Sequence, residues 1–144
     1  MNKAIYIAAT EANSGKSMLT LGLMQLLLRN NPKVGYFRPI IDNPVKGKRD
    51  NHINTVLTHF NLTTRYEDSY AFTRSELVNK INNDEEDKVI NRIIEKYKKL
   101  EEEFDYVVIE GTDFSDHAAI IEMDLNTLIA VSYTHLTLPT KRIV

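Results

Sequence analysis

The chain has 144 residues, 42% of them hydrophobic and 26% charged, which is typical of a single globular domain. A formal charge of −2 provides no general attraction for nucleic acid or anionic lipid, so we expect neither a nucleic-acid partner nor membrane association. The absence of cysteine excludes disulfides, thiolate metal sites and cysteine nucleophiles, and favours a cytoplasmic location.

The first 60 residues alternate between apolar runs and polar loops. Residues 4–8 form a short apolar run, which predicts a buried parallel strand. Residues 17–29 are apolar nearly all round, as in a helix packed between a sheet and a neighbouring element. Residues 34–37 predict a second strand, and residues 51–60 predict a second helix. A strand, helix, strand order is typical of a parallel sheet.

The next segment continues the same alternation. Thr73 and Glu76 have capping-box spacing, which predicts a short helix through residue 81. Apolar residues then recur at intervals of three and four over residues 89–104, which indicates an amphipathic helix. The β-branched run at 106–109 predicts a further strand. We therefore predict an α/β fold, with an open, mostly parallel sheet and helices on both faces.

The end of the chain fits this pattern poorly. Asp124 could cap a helix over residues 125–130, but residues 131–144 break the periodicity and no further strand and helix follow. We expect a domain over residues 1–130 that is incomplete, and a tail over 131–144 that is not native. The alternative is that the tail is an ordinary edge strand or a disordered terminus.

The segment Thr-Glu-Ala-Asn-Ser-Gly-Lys-Ser at 10–17 has the pattern of a phosphate-binding loop whose first glycine is replaced by threonine. Such loops need backbone N–H groups around phosphate oxygens, a lysine amine on the terminal phosphates and a hydroxyl on Mg²⁺. Its place between an apolar strand and an apolar helix suits that mechanism. An empty relic of such a loop is the alternative. The predicted nucleotide- or phosphate-binding residues are Thr10, Asn13, Ser14, Gly15, Lys16 and Ser17.

Two further candidates follow predicted strands. Glu110 ends the strand at 106–109, where open parallel sheets bind their ligands, and its carboxylate could hold Mg²⁺ directly or through water. Arg38 directly follows the second strand and is predicted to face an anionic ligand. The alternatives are a solvated strand-end glutamate and a surface salt bridge. Asp42 and Asp50 are weaker candidates, because aspartates in such loops usually form turns.

The histidines show no metal-ligand spacing, since His52 and His59 lie two helical turns apart. We interpret both, together with His117, as ordinary histidines. The chain also lacks a Gly-x-Ser-x-Gly elbow and a His-Glu-x-x-His motif, so we predict no catalytic residue.

Four segments resemble the dethiobiotin synthetase-like phosphate-loop fold: residues 4–10, 14–17, 34–39 and 107–111. They resemble more closely the N-terminal domain of long-form bacterial phosphate acetyltransferases. Three further segments resemble the Bacteroides-type members: residues 49–54, 70–77 and 110–114. The resemblance covers the chain up to about residue 130.

The resemblance to dethiobiotin synthetases implies that Gly15 and Lys16 bind phosphate. It also implies that Ser17 and Glu110 hold Mg²⁺, with Asp50 as a less certain third ligand, so that the cofactor is Mg²⁺ with ATP or a related nucleotide. The chain departs from those enzymes at Arg38, where they carry lysine, and at residues 112–114, where they carry a glycine-rich loop. These departures count against diamine carboxylation.

The resemblance to the acetyltransferases implies a regulatory domain that binds a nucleotide or another phosphate-bearing effector and forms homo-oligomers through its parent protein. The catalytic residues of that parent lie in a C-terminal domain, so we expect the present chain to be inactive. An ATP-dependent ligase of the dethiobiotin or cobyrinic acid amidating type is one alternative, and a dimerising switch ATPase is another.

The sheet of the resembled family continues past residue 130. We therefore expect the chain to be poorly soluble, because the apolar faces of a shortened sheet would be partly uncovered. The residues expected to be partly uncovered are Ile5, Ile7, Val108 and Ile109.

Overall fold

The computed structural model describes residues 3–7, 16–30 and 33–111, which form an α/β fold. The described strands and α-helices, in chain order, are β1 (Lys3–Ile7), α1 (Lys16–Asn30), β2 (Val34–Phe37), β3 (Ile40–Ile41), α2 (Asn51–His59), β4 (Phe72–Thr73), α3 (Arg74–Asn82), α4 (Glu86–Glu103) and β5 (Tyr106–Glu110). Every strand and helix predicted within these ranges is present. The predicted helix at 125–130 and the tail at 131–144 lie outside the described residues.

The main sheet has the strand order β1-β5-β2, and both strand pairs are parallel. The predicted parallel sheet is therefore confirmed. Ile7 is the register partner of Glu110, and Phe37 is the partner of Ile109. The N–H of Gly111 donates to the Ile7 carbonyl at 2.7 Å, which extends the pairing by one residue. Because the three strands end together, the residues that follow β2 and β5 meet at one edge of the sheet.

Helices cover both faces of this sheet, as predicted. On one face, which we call the α4 face, Tyr6 and Ile109 pack in a core with Tyr97 of α4. On the other face, the α1/α2 face, Val108 packs with Met24 of α1. Side chains alternate between the faces because successive residues of a strand point in opposite directions.

The expectation of an uncovered sheet is wrong for three of its four residues. Ile7, Val108 and Ile109 are buried, and Ile5 is partly buried. Ile7 and Val108 belong to the core of the α1/α2 face, whereas Ile109 belongs to the core of the α4 face. Residues of the described helices pack in the same two cores as these strand residues.

A second, two-stranded sheet pairs β3 with β4 in parallel, with Ile40 opposite Phe72. It was not predicted, because strands of two residues show no readable period. Just before β3, the N–H of Arg38 donates to the Ser69 carbonyl at 2.7 Å. The Pro39 carbonyl accepts from the N–H of Phe72 at 3.0 Å. These bonds fix the backbone directly after β2. They therefore also fix the position from which the Arg38 side chain extends.

The predicted cap of α3 is confirmed, since Thr73 Oγ1 accepts from the N–H of Glu76 at 3.3 Å. The amphipathic helix is also confirmed as α4, which buries Val89, Ile93 and Leu100 against the sheet. Within the part of the chain that the structure describes, no helix is long and apolar enough to cross a membrane.

Candidate nucleotide and metal site

Glu110 lies at the carboxyl end of the central strand and is only 1% exposed. Its Oε2 lies 3.9 Å from Nη1 of Arg38 and 3.7 Å from Nε2 of His52, both beyond hydrogen-bond length. Among the described residues this oxygen has no hydrogen-bond partner. The interpretation of Glu110 as a solvated strand end is therefore wrong. A buried carboxylate oxygen in this condition needs a water, an ion or a ligand to offset its lost hydration.

Arg38 lies at the neighbouring strand end, directly after β2, and is 5% exposed. Its Nε is buried without a hydrogen-bond partner among the described residues. The alternative of a salt bridge is correct in part, because Arg38 forms an ion pair with Glu110 at 3.9 Å, but this pair is buried and does not lie at the surface. The structure therefore brings Arg38 and Glu110 together, with polar atoms of both still available to a ligand.

Tyr36 is a member of the site that the sequence analysis missed. Its hydroxyl is fully buried and has no hydrogen-bond partner within the described ranges. Burial raises the pKa of Tyr36 well above its usual value, and the nearby negative charge of Glu110 raises this pKa further. The phenol therefore stays protonated and can donate a hydrogen. All four residues of β2 are buried, so the burial pattern of the strand gives no sign that Tyr36 lies beside Glu110.

His52 is a second residue beside Glu110 that the sequence analysis did not place there. It lies in the first turn of α2, and its ring reaches to 3.7 Å from the Glu110 carboxylate. The spacing of residues along one helix could not reveal this pair, because Glu110 lies in a strand that is far from α2 in the sequence. His59 makes an edge contact with the Phe60 ring and is exposed, while His117 lies outside the described residues.

Asp50 caps α2, since its Oδ1 accepts from the N–H of Ile53 at 2.9 Å. Its own N–H donates to the Tyr66 hydroxyl at 2.7 Å. These bonds fix the start of α2 beside the sheet edge and engage one carboxylate oxygen of Asp50. The role of Asp50 as a third metal ligand stays a prediction. Asp42 is exposed and pairs with Arg74 at 2.9 Å.

The predicted phosphate-binding loop falls outside the described residues at Thr10, Asn13, Ser14 and Gly15. Helix α1 is described from Lys16 onwards, but the side chains of Lys16 and Ser17 are likewise not described. The predicted separation of the Ser17 hydroxyl from the Glu110 carboxylate therefore stays a prediction.

Helix α1 nevertheless reaches the Glu110 side of the sheet edge. A cleft of about 220 Å³ lies between α1 and α2. Leu21 of α1, Thr55 of α2 and Glu110 contribute to its walls. The buried carboxylate thus opens towards the helix whose first residues complete the phosphate-binding motif.

Comparison with protein-family models matches residues 3–138 to a family described as an AAA domain. The chain belongs to this family. The match spans all of the described elements and the predicted phosphate-binding loop, and it bears out the dethiobiotin synthetase-like phosphate-loop fold implied by the sequence.

This AAA domain is similar to phosphate acetyltransferases of two bacteria. It is 46% identical to that of Nitratidesulfovibrio vulgaris over 132 residues, which are 92% of the chain and 19% of the relative. It is 41% identical to that of Synechocystis sp. over 130 residues, which are 90% of the chain and 19% of the relative. The chain thus spans about a fifth of the length of these relatives.

A third relative is the ATP-dependent dethiobiotin synthetase BioD of Clostridium novyi, which is 27% identical over 120 residues. That match covers 78% of the chain and 50% of the relative. Both groups named by the sequence resemblance are therefore present among the relatives of this AAA domain.

The described part of the AAA domain has no ready-made cluster of metal ligands. It contains no group of three histidine, cysteine, aspartate or glutamate side chains that could bind an ion. The unpartnered Oε2 of Glu110 nevertheless fits Mg²⁺, which prefers few carboxylate ligands and keeps water or phosphate oxygens in its other positions. Glu110 therefore suits a metal ion that is held jointly with a bound nucleotide.

Proposed function

We propose that the chain is a nucleotide-binding regulatory domain from the N-terminal region of a phosphate acetyltransferase. The observation that carries this proposal is the buried, unpartnered Glu110 carboxylate at the carboxyl edge of the sheet, beside the helix that begins at Lys16. The similarity to two phosphate acetyltransferases supports the choice of parent protein. The parent is proposed to be cytoplasmic and homo-oligomeric, and to transfer acetyl groups between coenzyme A and phosphate.

In this proposal Ser17 and Glu110 hold Mg²⁺, and Asp50 contributes a third ligand. When bound, the ion neutralises charge on the nucleotide phosphates. Lys16 contacts the terminal phosphates and the loop N–H groups surround them. Arg38 supplies a second cation from the neighbouring strand end, where its unpartnered Nε is available to a phosphate oxygen.

The binding role is tested with Lys16→Ala and calorimetric titration of ATP in the presence of Mg²⁺. Loss of the amine is expected to remove measurable binding while the helical signal in circular dichroism stays unchanged, because the lysine acts on the ligand. Lys98→Ala is the matched control, since Lys98 is exposed on α4 across the sheet. Equal affinity of Lys16→Ala and the parent chain would overturn the assignment.

The metal role is tested with Glu110→Gln, which keeps the shape of the side chain and removes its charge. We expect ATP affinity to become less dependent on Mg²⁺, because one ligand of the ion becomes a weaker, neutral oxygen. Glu102→Gln, at an exposed position of α4, is the control. An unchanged Mg²⁺ dependence in Glu110→Gln would remove Glu110 from the site.

A ligase of the dethiobiotin synthetase type is the second candidate, favoured by the similarity to the Clostridium novyi enzyme. Such a ligase would use ATP to activate a carboxylate or carbamate as a phosphate ester. Phosphate release from ATP that requires both bicarbonate and a diamine would favour the ligase. Binding of ATP without such turnover would favour the regulatory domain.

A further inference from the structure

A groove of about 390 Å³ lies between α4 and the turn at residues 66–68. It shares no lining residue with the cleft at Glu110, so it is separate from the candidate nucleotide and metal site. Its size falls within the range of small-molecule sites in proteins. We call it the α4 groove. Three cationic side chains and two carboxylates line it: Arg92, Lys96, Lys99, Asp68 and Glu95.

The three cations share one flank of α4, because they are spaced by four and three residues. Within the part of the chain that the structure describes, only Lys99 has a carboxylate partner, since its ammonium lies 2.9 Å from Oδ1 of Asp68. Lys96 donates at 2.7 Å to the backbone carbonyl of Glu67, which is a neutral acceptor. Lys96 and Arg92 therefore carry two positive charges that no described carboxylate offsets at ion-pair distance.

These two charges oppose each other. Lys96 and Arg92 lie one helical turn apart, where like charges destabilise a helix. Burial lowers the pKa of Lys96, and although Asp68 acts in the opposite direction, the positive charges of Arg92 and Lys99 lower this pKa further. An anion in the groove would offset this repulsion.

Both cations are held in place by contacts that leave hydrogen-bond donors for a ligand. The ammonium of Lys96 has three N–H groups and spends one of them on the Glu67 carbonyl. The guanidinium of Arg92 lies over the Phe72 ring at 5.0 Å from its centroid, and this stacking uses none of its N–H groups. The two cations are thus positioned before a ligand arrives, which reduces the entropy lost on binding.

We propose that the α4 groove binds a small molecule through one doubly charged oxyanion group of the phosphate class, held by Arg92 and Lys96. A dianion matches the two cations that lack a carboxylate partner, and its oxygens can accept from a guanidinium and an ammonium at once. Both free phosphate and a phosphorylated small molecule carry this group. The binding of either does not depend on the proposed nucleotide role.

The test is an amide NMR titration of the isotope-labelled complete chain at constant ionic strength. Inorganic phosphate and glycerol phosphate are the two probes, used without Mg²⁺ at about pH 8, where such groups are mainly dianions. Each titration is repeated with Lys96→Gln and with Lys98→Gln as the matched control. Both substitutions remove one positive charge from α4, but the exposed Lys98 does not line the groove.

We expect at least one probe to shift amide signals at residues 67–68 and 92–99. Tighter binding of glycerol phosphate would assign the groove to phosphorylated small molecules, and tighter binding of phosphate would assign it to the free ion. Lys96→Gln should weaken binding by about five- to tenfold, because a charged hydrogen bond is lost, whereas Lys98→Gln should change it less than about twofold. Arg92→Gln gives a second variant, with the same expected loss as Lys96→Gln.

The absence of shifts at the groove with both probes would overturn the proposal. Equal weakening by Lys96→Gln and Lys98→Gln would do the same, because it would indicate general charge attraction. Shifts confined to residues 10–17 would place the probe in the predicted phosphate-binding loop and also overturn the α4 groove. Retention of ATP binding by Lys16→Ala would instead overturn the nucleotide assignment, and it would leave the comparison of Lys96 with Lys98 valid.

Discussion

The two faces of the main sheet differ in which polar and apolar groups are buried against them and which stay exposed. On the α4 face, apolar residues of α4 are buried, and charged residues of the helix pair with neighbours, as Lys99 does with Asp68 at 2.9 Å. On the α1/α2 face, Met18 and Leu26 are 76% and 59% exposed. On this second face, Glu110 buries a carboxylate oxygen with no hydrogen bond within the described residues.

We interpret the first face as one that mainly stabilises the fold, and we propose that the second face binds a ligand. The burial of apolar surface and the pairing of charges both lower the free energy of the folded chain, and neither requires a ligand. A buried polar atom without a hydrogen-bond partner raises the free energy of the folded chain. Such an atom is retained where a ligand supplies the partner. The substitutions below test whether the two faces really differ in this way.

The largest effect is expected from Ile93→Ala on the α4 face. Ile93 is completely buried, so its truncation should lower the free energy of unfolding by about 2–5 kcal/mol. Leu26→Ala on the outer side of α1 should change it by less than about 0.5 kcal/mol. Urea unfolding of both variants measures the contrast. A comparable loss in Leu26→Ala would show that the outer side of α1 is covered in solution.

A smaller effect is expected from Gly35→Ala in β2. The added Cβ would lie 2.8 Å from Cδ2 of Phe104, so the tightly packed ring must move, at a cost of about 1–3 kcal/mol. Gly22→Ala in α1 is the control, because its Cβ would meet nothing within 4 Å. It should stabilise the helix by about 0.5–1 kcal/mol. Thermal unfolding that ranks the two variants the other way would contradict the packing described at β2.

Asp50→Ala should destabilise the chain by about 1 kcal/mol, since it removes the cap of α2. Asp50→Asn keeps a side-chain acceptor and should leave stability nearly unchanged. If Asp50 is also a metal ligand, the asparagine variant should still alter the Mg²⁺ dependence of ATP affinity. Chemical unfolding combined with calorimetry therefore separates the capping role from the metal role. Equal stability of the alanine variant and the parent would exclude the cap.

The smallest effect at neutral pH is expected from Tyr36→Phe, and it should grow with alkalinity. The pKa of Tyr36 is raised in the folded chain by burial and by Glu110, whereas an unfolded tyrosine titrates near pH 10. The unfolded state therefore loses this proton first, and the stability contributed by Tyr36 is complete below about pH 10 and declines above it. Unfolding measured between about pH 8 and 11 should show a shallower decline in Tyr36→Phe. Parallel declines would contradict the burial of this phenol.

Much of the fold could be predicted because its signals are local. The three- and four-residue apolar spacing of α4 and the capping box at Thr73 each follow from contacts within one helix. Glu110 could be identified as a candidate from its place after an apolar strand. The short strands β3 and β4 could not be predicted, because their pairing joins segments that are far apart along the chain.

The sequence by itself determined where the three strands of the main sheet and the α-helices lie, which faces are apolar, and that a glutamate ends one of those strands. Only the tertiary structure decided that β5 lies between β1 and β2, and that Arg38, Tyr36 and His52 converge on Glu110. The reason is physical. Periodicity and caps depend on neighbours along the chain, whereas strand order and the burial of a charge depend on contacts between distant segments, whose strength is set by the whole packed core.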